Sequence, residues 1–253
     1  MRAPQRSLIL GLIIIESLLF TRTMPAQGPS SDTAAAAVQR ALAAYGQPLS
    51  TGEIGDSIGD GKLTFFALGG AKATFNLTLM RKGNTKVQRV IKEPAGELKQ
   101  GTDGVSSWES FQSLYTPTAH GRALQFIESH TTRSLPRLFN YQKEGLTLRD
   151  MGSRDKARLV EAEDRQGKKT TYFIDADTSV INKFEFVTGQ AKDPFSGAQL
   201  SAMDTYVFSD HRMIQGVLTA FKIERYSGSN KIEEIQFSTV KYNAGLKDSD
   251  FHR

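Results

Sequence analysis

No cysteine occurs in the 253 residues of this chain. That excludes disulfides, thiolate metal sites and cysteine nucleophiles. It also excludes a bacterial lipoprotein, which carries its lipid on a cysteine just after the export segment. Tryptophan occurs once, at Trp108, and histidine four times, at His120, His130, His211 and His252. The histidines are scattered, and no two have metal-ligand spacing within one helix or strand. His211, beside Asp210, is read as an exposed turn residue. An excess of one charge is also missing. The formal charge is +5, and removing Arg2, Arg6, Arg22 and Glu16 with residues 1–26 leaves +3. So even a balance provides no concentrated basic face for nucleic acid.

Recognisable chemistry is equally scarce. Gly59-Asp60-Gly61-Lys62 lacks the spacing of a phosphate loop. Serine, histidine and aspartate are read as having no nucleophile elbow to organise them. Asp175 and Asp177 fall in a turn, where aspartate accepts hydrogen bonds from the following amides. Glu161 and Glu163 share one strand face, taken as the wet one. Asn76-Leu77-Thr78 spells a glycosylation sequon, but Asn76 lies inside a strand pattern. No catalytic residue, metal or cofactor is expected, and the chain is read as a non-enzyme.

The N-terminus reads as an export segment. Arg2 and Arg6 precede the apolar run Leu8–Ile15, broken only by Gly11, and Ser17–Phe20 continue it beyond Glu16. The run is far shorter than the roughly 20 residues of a membrane-spanning helix. With cleavage at Ala26, residues 1–26 are a signal peptide and 27–253 one domain in the periplasm. Asp32 or Thr33 then caps a helix through Tyr45, stopped by Gly46. Pro48–Gly61 is read as a polar, glycine-rich connection, with strands beginning at Lys62.

From there the grammar is antiparallel. Ala73–Met80 alternates Phe75, Leu77 and Leu79 with Thr74, Asn76 and Thr78, the signature of a sheet with one buried and one wet face. Asp103-Gly104 marks a hairpin. Residues 119–140 break the pattern and suit helix around Leu124, Phe126 and Ile127. Seven further strands follow between Leu146 and Tyr242, with Ser209-Asp210-His211 as one of their turns. About eleven or twelve strands with short turns must curl. The expected fold is mainly β: an antiparallel half-barrel wrapped over two or three helices.

Four passages resemble the outer-membrane lipoprotein-sorting (LolA-like) family: Asp103-Gly104 followed by Trp108; Tyr172-Phe173-Ile174-Asp175 with Asp177-Thr178; Asp204-x-Tyr206; and Asn243 with Leu246, Asp248 and Phe251. Together they span residues 62–251. The resemblance implies a half-barrel covered by helices, with a hydrophobic cavity for acyl chains and acyl chains or lipoproteins as partners. One departure stands out. Family members end the Val217 strand with a proline, where this chain has Thr219-Ala220-Phe221, so the strand is expected to run through as a straight edge. Candidate cavity residues are Phe65, Phe75, Leu77, Leu79, Trp108, Phe173, Phe184 and Phe186, all of which would equally serve as core. The competing reading is a regulatory or structural module that binds an envelope protein or senses envelope lipids, with Tyr206, Phe208, Phe221 and Tyr226 as the interface, at the sheet edge or outer face.

Overall fold

The computed structural model describes residues 33–67, 70–112, 114–119, 121–192 and 199–252, with side chains at 190–192 and 199–201 excepted. The export segment read at 1–26 and His120 lie outside the described residues. Among the described residues no helix is long and apolar enough to cross a membrane.

Helix α1 (Ala34–Tyr45) starts where Thr33 Oγ1 accepts the Ala36 amide at 3.2 Å. Its stripe of Ala37, Val38, Ala41 and Tyr45 is buried. Gly46 ends it at φ +105°, and a Cβ there would sit 2.0 Å from the Gly216 carbonyl oxygen. The close approach and the left-handed backbone both require glycine. The short α2 (Gln47–Ser50) follows.

Thirteen strands form one antiparallel sheet: β1 (Asp56–Phe66), β2 (Lys72–Lys82), β3 (Lys86–Glu93), β4 (Gly96–Thr102), β5 (Ser107–Phe111), β6 (Leu114–Thr116), β7 (Thr147–Arg154), β8 (Ala157–Glu163), β9 (Lys169–Asp175), β10 (Ile181–Lys192), β11 (Gln199–Ile214), β12 (Val217–Ser227) and β13 (Asn230–Tyr242). The spatial order is β6-β5-β4-β3-β2-β1-β13-β12-β11-β10-β9-β8-β7. The first and last strands therefore pair at the centre, and β6 and β7 are the two edges. The β6–β7 connection is not a hairpin. It holds α3 (Gly121–His130), α4 (Leu135–Phe139) and α5 (Tyr141–Glu144). These helices pack on one face of the sheet, so the sheet curls around them and stays open as a half-barrel.

Several boundaries differ from the sequence reading. The first strand begins at Asp56, inside the stretch read as a connection. Ser209-Asp210-His211 is no turn: β11 runs through it, and the reversal comes at Gln215-Gly216, both at positive φ. His211 is accordingly a half-buried strand residue. The Thr219–Phe221 strand does run unbroken, but between β11 and β13 rather than at an edge. Asp175 behaves as expected, its Oδ1 accepting the Asp177 and Thr178 amides at 3.1 and 2.8 Å.

After β13 the chain crosses the convex face as a strap. Asp56 accepts the Ala244 and Leu246 amides. Asp248 bridges Lys82 and Lys86 at 2.9 and 2.8 Å, and those two ammonium groups hold its carboxyl down at about 2. Phe251 is fully buried, and its carbonyl accepts the Trp108 indole N–H at 3.1 Å.

Candidate functional site

One apolar cavity of about 230 Å³ opens between the helices and the concave face. Its walls come from distant parts of the chain. Tyr45 and Leu49 project from α1 and α2, Leu79 from β2, Phe184 from β10, Phe208 from β11 and Phe237 from β13; Leu135 and Pro136 of α4 cover it. Phe184 organises the wall: its ring lies 4.9 Å from Tyr206, 5.5 Å from Phe208 and 5.7 Å from Tyr172. Exposed Gly55 and Gly83 mark the rim.

The rim carries a polar row. Ser57 is paired with Arg81 on one side and Tyr242 on the other, so the three share the concave face. The Tyr242 hydroxyl is 2.8 Å from Thr219 Oγ1. Arg81 Nη2 donates to the His130 carbonyl at 2.9 Å, capping the C-terminal end of α3, where helix carbonyls lack internal partners. Burial lowers the Arg81 guanidinium to about 10, leaving it charged at neutral pH. The His130 ring, unlike the half-buried Arg81, is buried. Burial, with Arg81, Arg89 and Arg225 nearby, pushes it down to about 3. It is therefore neutral, with Nδ1 3.0 Å from the Phe126 carbonyl oxygen.

The eight sequence candidates separate into three groups. Leu79 and Phe184 line the cavity. Phe65, Phe75, Leu77 and Phe186 share the concave side; Leu77 and Phe186 are core, Phe186 under the Arg133 guanidinium at 3.9 Å, and Phe65 and Phe75 pack half-buried against it. Trp108 and Phe173 lie on the other face. Trp108 pairs with Gly101, which pairs with Gln88, all on the convex side under the strap. Phe173 alternates with core residues Tyr172 and Ile174 and is covered by Lys183 at 3.8 Å and Arg154 at 5.0 Å. Trp108 thus reports on the strap. Deleting residues 243–253 is expected to red-shift its emission as the indole meets water, whereas apolar ligands leave the emission unchanged; a fluorimeter scan of both states checks this.

The interface expected at the sheet edge or outer face is corrected too. Tyr206 and Phe221 are buried and Phe208 turns to the cavity, leaving only Tyr226. Gly55-Asp56-Ser57-Ile58-Gly59 does spell a Gly-x-Ser-x-Gly string that the sequence reading passed over. Ser57 sits within β1 rather than on a strand-to-helix turn, and no hydrogen bond joins it to a histidine among the described residues. Arg81 and Ser57 were missed as site residues. Arg81 continues the alternation of Leu77 and Leu79, so period 2 alone could have placed it on the concave face.

Beneath α3 the same face buries a charged network. Arg225 Nε donates to Asp204 at 3.0 Å, and Arg225 also reaches Gln125 of α3. Arg89 donates to Gln100 at 2.7 Å and to Glu233 at 3.2 Å, under the Phe126 ring. All four charged residues are at most 6% exposed.

No protein-family model and no curated protein matches the sequence. Solved structures do. A LolA superfamily protein from Nitrosomonas europaea superposes with a TM-score of 0.60 at 18% identity, over 87% of this chain and 98% of its own. The fold is that of the LolA-like half-barrels. A domain assigned to outer-membrane lipoprotein sorting, from Vibrio parahaemolyticus, gives 0.55 at 14% identity over 85% and 97%. A DUF1329 family protein from Desulfovibrio piger gives 0.60 at 14% over 88% and 98%. The LolA-like resemblance read from the sequence thus agrees with the architecture, and at these identities the agreement concerns the fold.

Proposed function

We propose that the protein is an exported, periplasmic binder of lipid acyl chains or lipidated proteins, acting as a carrier in the bacterial envelope. The observation that carries this reading is the apolar cavity of about 230 Å³ between α1–α4 and the concave face. Moving each methylene of an acyl chain from water into such a site contributes about 0.8 kcal/mol, so binding needs no covalent step or cofactor. Small-molecule pockets usually begin near 300 Å³. The cavity therefore fits one acyl segment, and a bulkier lipid requires the helical cover to move outward. Leu135 and Pro136 are the cover residues in that path. The LolA-like architecture supports the reading, since two of the similar structures carry a lipoprotein-sorting or LolA description.

The test pairs detection with obstruction. Mass spectrometry of protein purified under native conditions from bacterial membranes is expected to show bound acyl lipids. Leu218→Trp adds bulk to the cavity wall, where Leu218 is half-buried. It is expected to weaken binding of a medium-chain acyl probe about tenfold or more, with the melting temperature little changed. A lipid-free protein that binds no acyl probe would overturn the carrier.

A further inference from the structure

Arg81 is an unusual wall residue for a cavity meant only for hydrocarbon. Its guanidinium has five N–H donors, and among the described residues its one hydrogen-bonded partner is the neutral His130 carbonyl. Among the described residues no carboxylate forms an ion pair with Arg81, and the group that favours its charge is the Tyr242 phenol. The nearest rim acid, Asp56, is occupied by the Ala244 and Leu246 amides of the strap. Glu144, which reaches the rim through Asn84, is occupied by Arg137 at 3.2 Å. By contrast Arg89 and Arg225, buried elsewhere on the same face, each have a carboxylate. A half-buried cation without a counter-ion is a disfavoured arrangement, and a ligand supplying the charge would relieve it.

We propose that the cavity selects amphiphiles with a compact anionic head, and that Arg81 with the Ser57 hydroxyl is the head site. The proposal rests on the acyl-binding reading above. The geometry is that of an amphiphile. Arg81 stands one residue inside the β2 end at Lys82, beside the exposed rim glycine Gly83, and Ser57 is its cross-strand partner. The tail would run inward along Leu79, Phe184 and Phe237. Guanidinium pairs bidentately with carboxylate or phosphate oxygens, roughly twice as strongly as with a neutral acceptor. An anionic head therefore outcompetes the His130 carbonyl, and α3 loses its C-terminal cap when ligand binds.

Calorimetric titration with laurate, methyl laurate and dodecyl phosphate tests this. The wild type is expected to bind laurate about tenfold or more tightly than methyl laurate. Arg81→Met should abolish that preference while methyl laurate binds as before, and Arg81→Lys, which keeps the charge, should retain much of it. If dodecyl phosphate binds more tightly than laurate with the same dependence on Arg81, the site belongs to phosphate heads; the reverse order assigns it to carboxylates. Equal binding of laurate and methyl laurate to the wild type, or a preference that survives Arg81→Met, sinks the head site and leaves the acyl reading standing. No binding of any of the three sinks the acyl reading, and the head site with it.

Discussion

Asp204→Ala is expected to lower unfolding stability by about 3–5 kcal/mol. Asp204 is 1% exposed and Arg225 2%. Removing the carboxylate leaves Arg225 in the protein interior with the Gln125 amide oxygen as its one hydrogen-bond acceptor among the described residues, and its Nη1 already has none. The loss comes chiefly from that uncompensated cation rather than from the net strength of the pair. The double variant Asp204→Ala with Arg225→Met should therefore recover most of it, because the two desolvation penalties disappear together. Urea unfolding of the three variants measures this. If Asp204→Ala costs less than about 1 kcal/mol, the pair is hydrated and the buried network has been misassigned.

That network was not legible in the sequence, and the reason is physical. An arginine on a strand looks the same whether it snorkels to water or is buried. Only its partners distinguish the two, and for Arg89 the partner Glu233 is 144 residues away. Local signals fared better. Thr33 and Gly46 bracketed α1, and the alternation of β2 placed Leu77 and Leu79 on the buried face, because capping and pleat depend on nearest neighbours. The alternation misled where a second layer covers the convex face. Trp108 and Phe173 are buried as any inward aromatic would be, yet the strap and the Lys183–Arg154 pair bury them from outside. Glycine content misled at β1, where Gly59 and Gly61 looked like loop and proved to be strand. A Cβ on Gly61 would meet the Gln236 carbonyl oxygen at 2.2 Å, and one on Gly59 the Phe237 ring at 2.8 Å. Those glycines let β1 and β13 close the centre of the sheet.

The topology links these particulars. Pairing β1 with β13 joins the two halves of the meander at mid-sheet, so the sheet opens only where α3–α5 intervene between β6 and β7. The cavity lies beneath that helical insert. Its cover is held at the rim by Arg81 on the His130 carbonyl and deeper in by Gln125 on Arg225. Both contacts run from a helix to an arginine of the sheet, and both depend on the electrostatics beneath α3.

His130 makes that region acid-sensitive. Its imidazole is buried, and the guanidinium groups of Arg81, Arg89 and Arg225 oppose its protonation more than the Phe126 carbonyl favours it. The folded-state value near 3 lies well below the ordinary value of 6.5. The unfolded chain therefore takes up a proton at a pH where the folded chain does not. The sign follows: His130 leaves stability unaffected above about pH 6.5, and stability falls with acid from there towards pH 3, by up to about 1.4 kcal/mol per pH unit. Carboxylates such as Asp248 also titrate below pH 4, so the informative quantity is a difference. His130→Gln removes the titrating group, and the stability of the wild type relative to that variant should decline steadily between pH 6 and 4. Thermal melts across that range measure the slope. Parallel pH profiles for the two proteins would show that His130 meets solvent, that its folded value is ordinary, and that the underside of α3 is wetter than the structure shows.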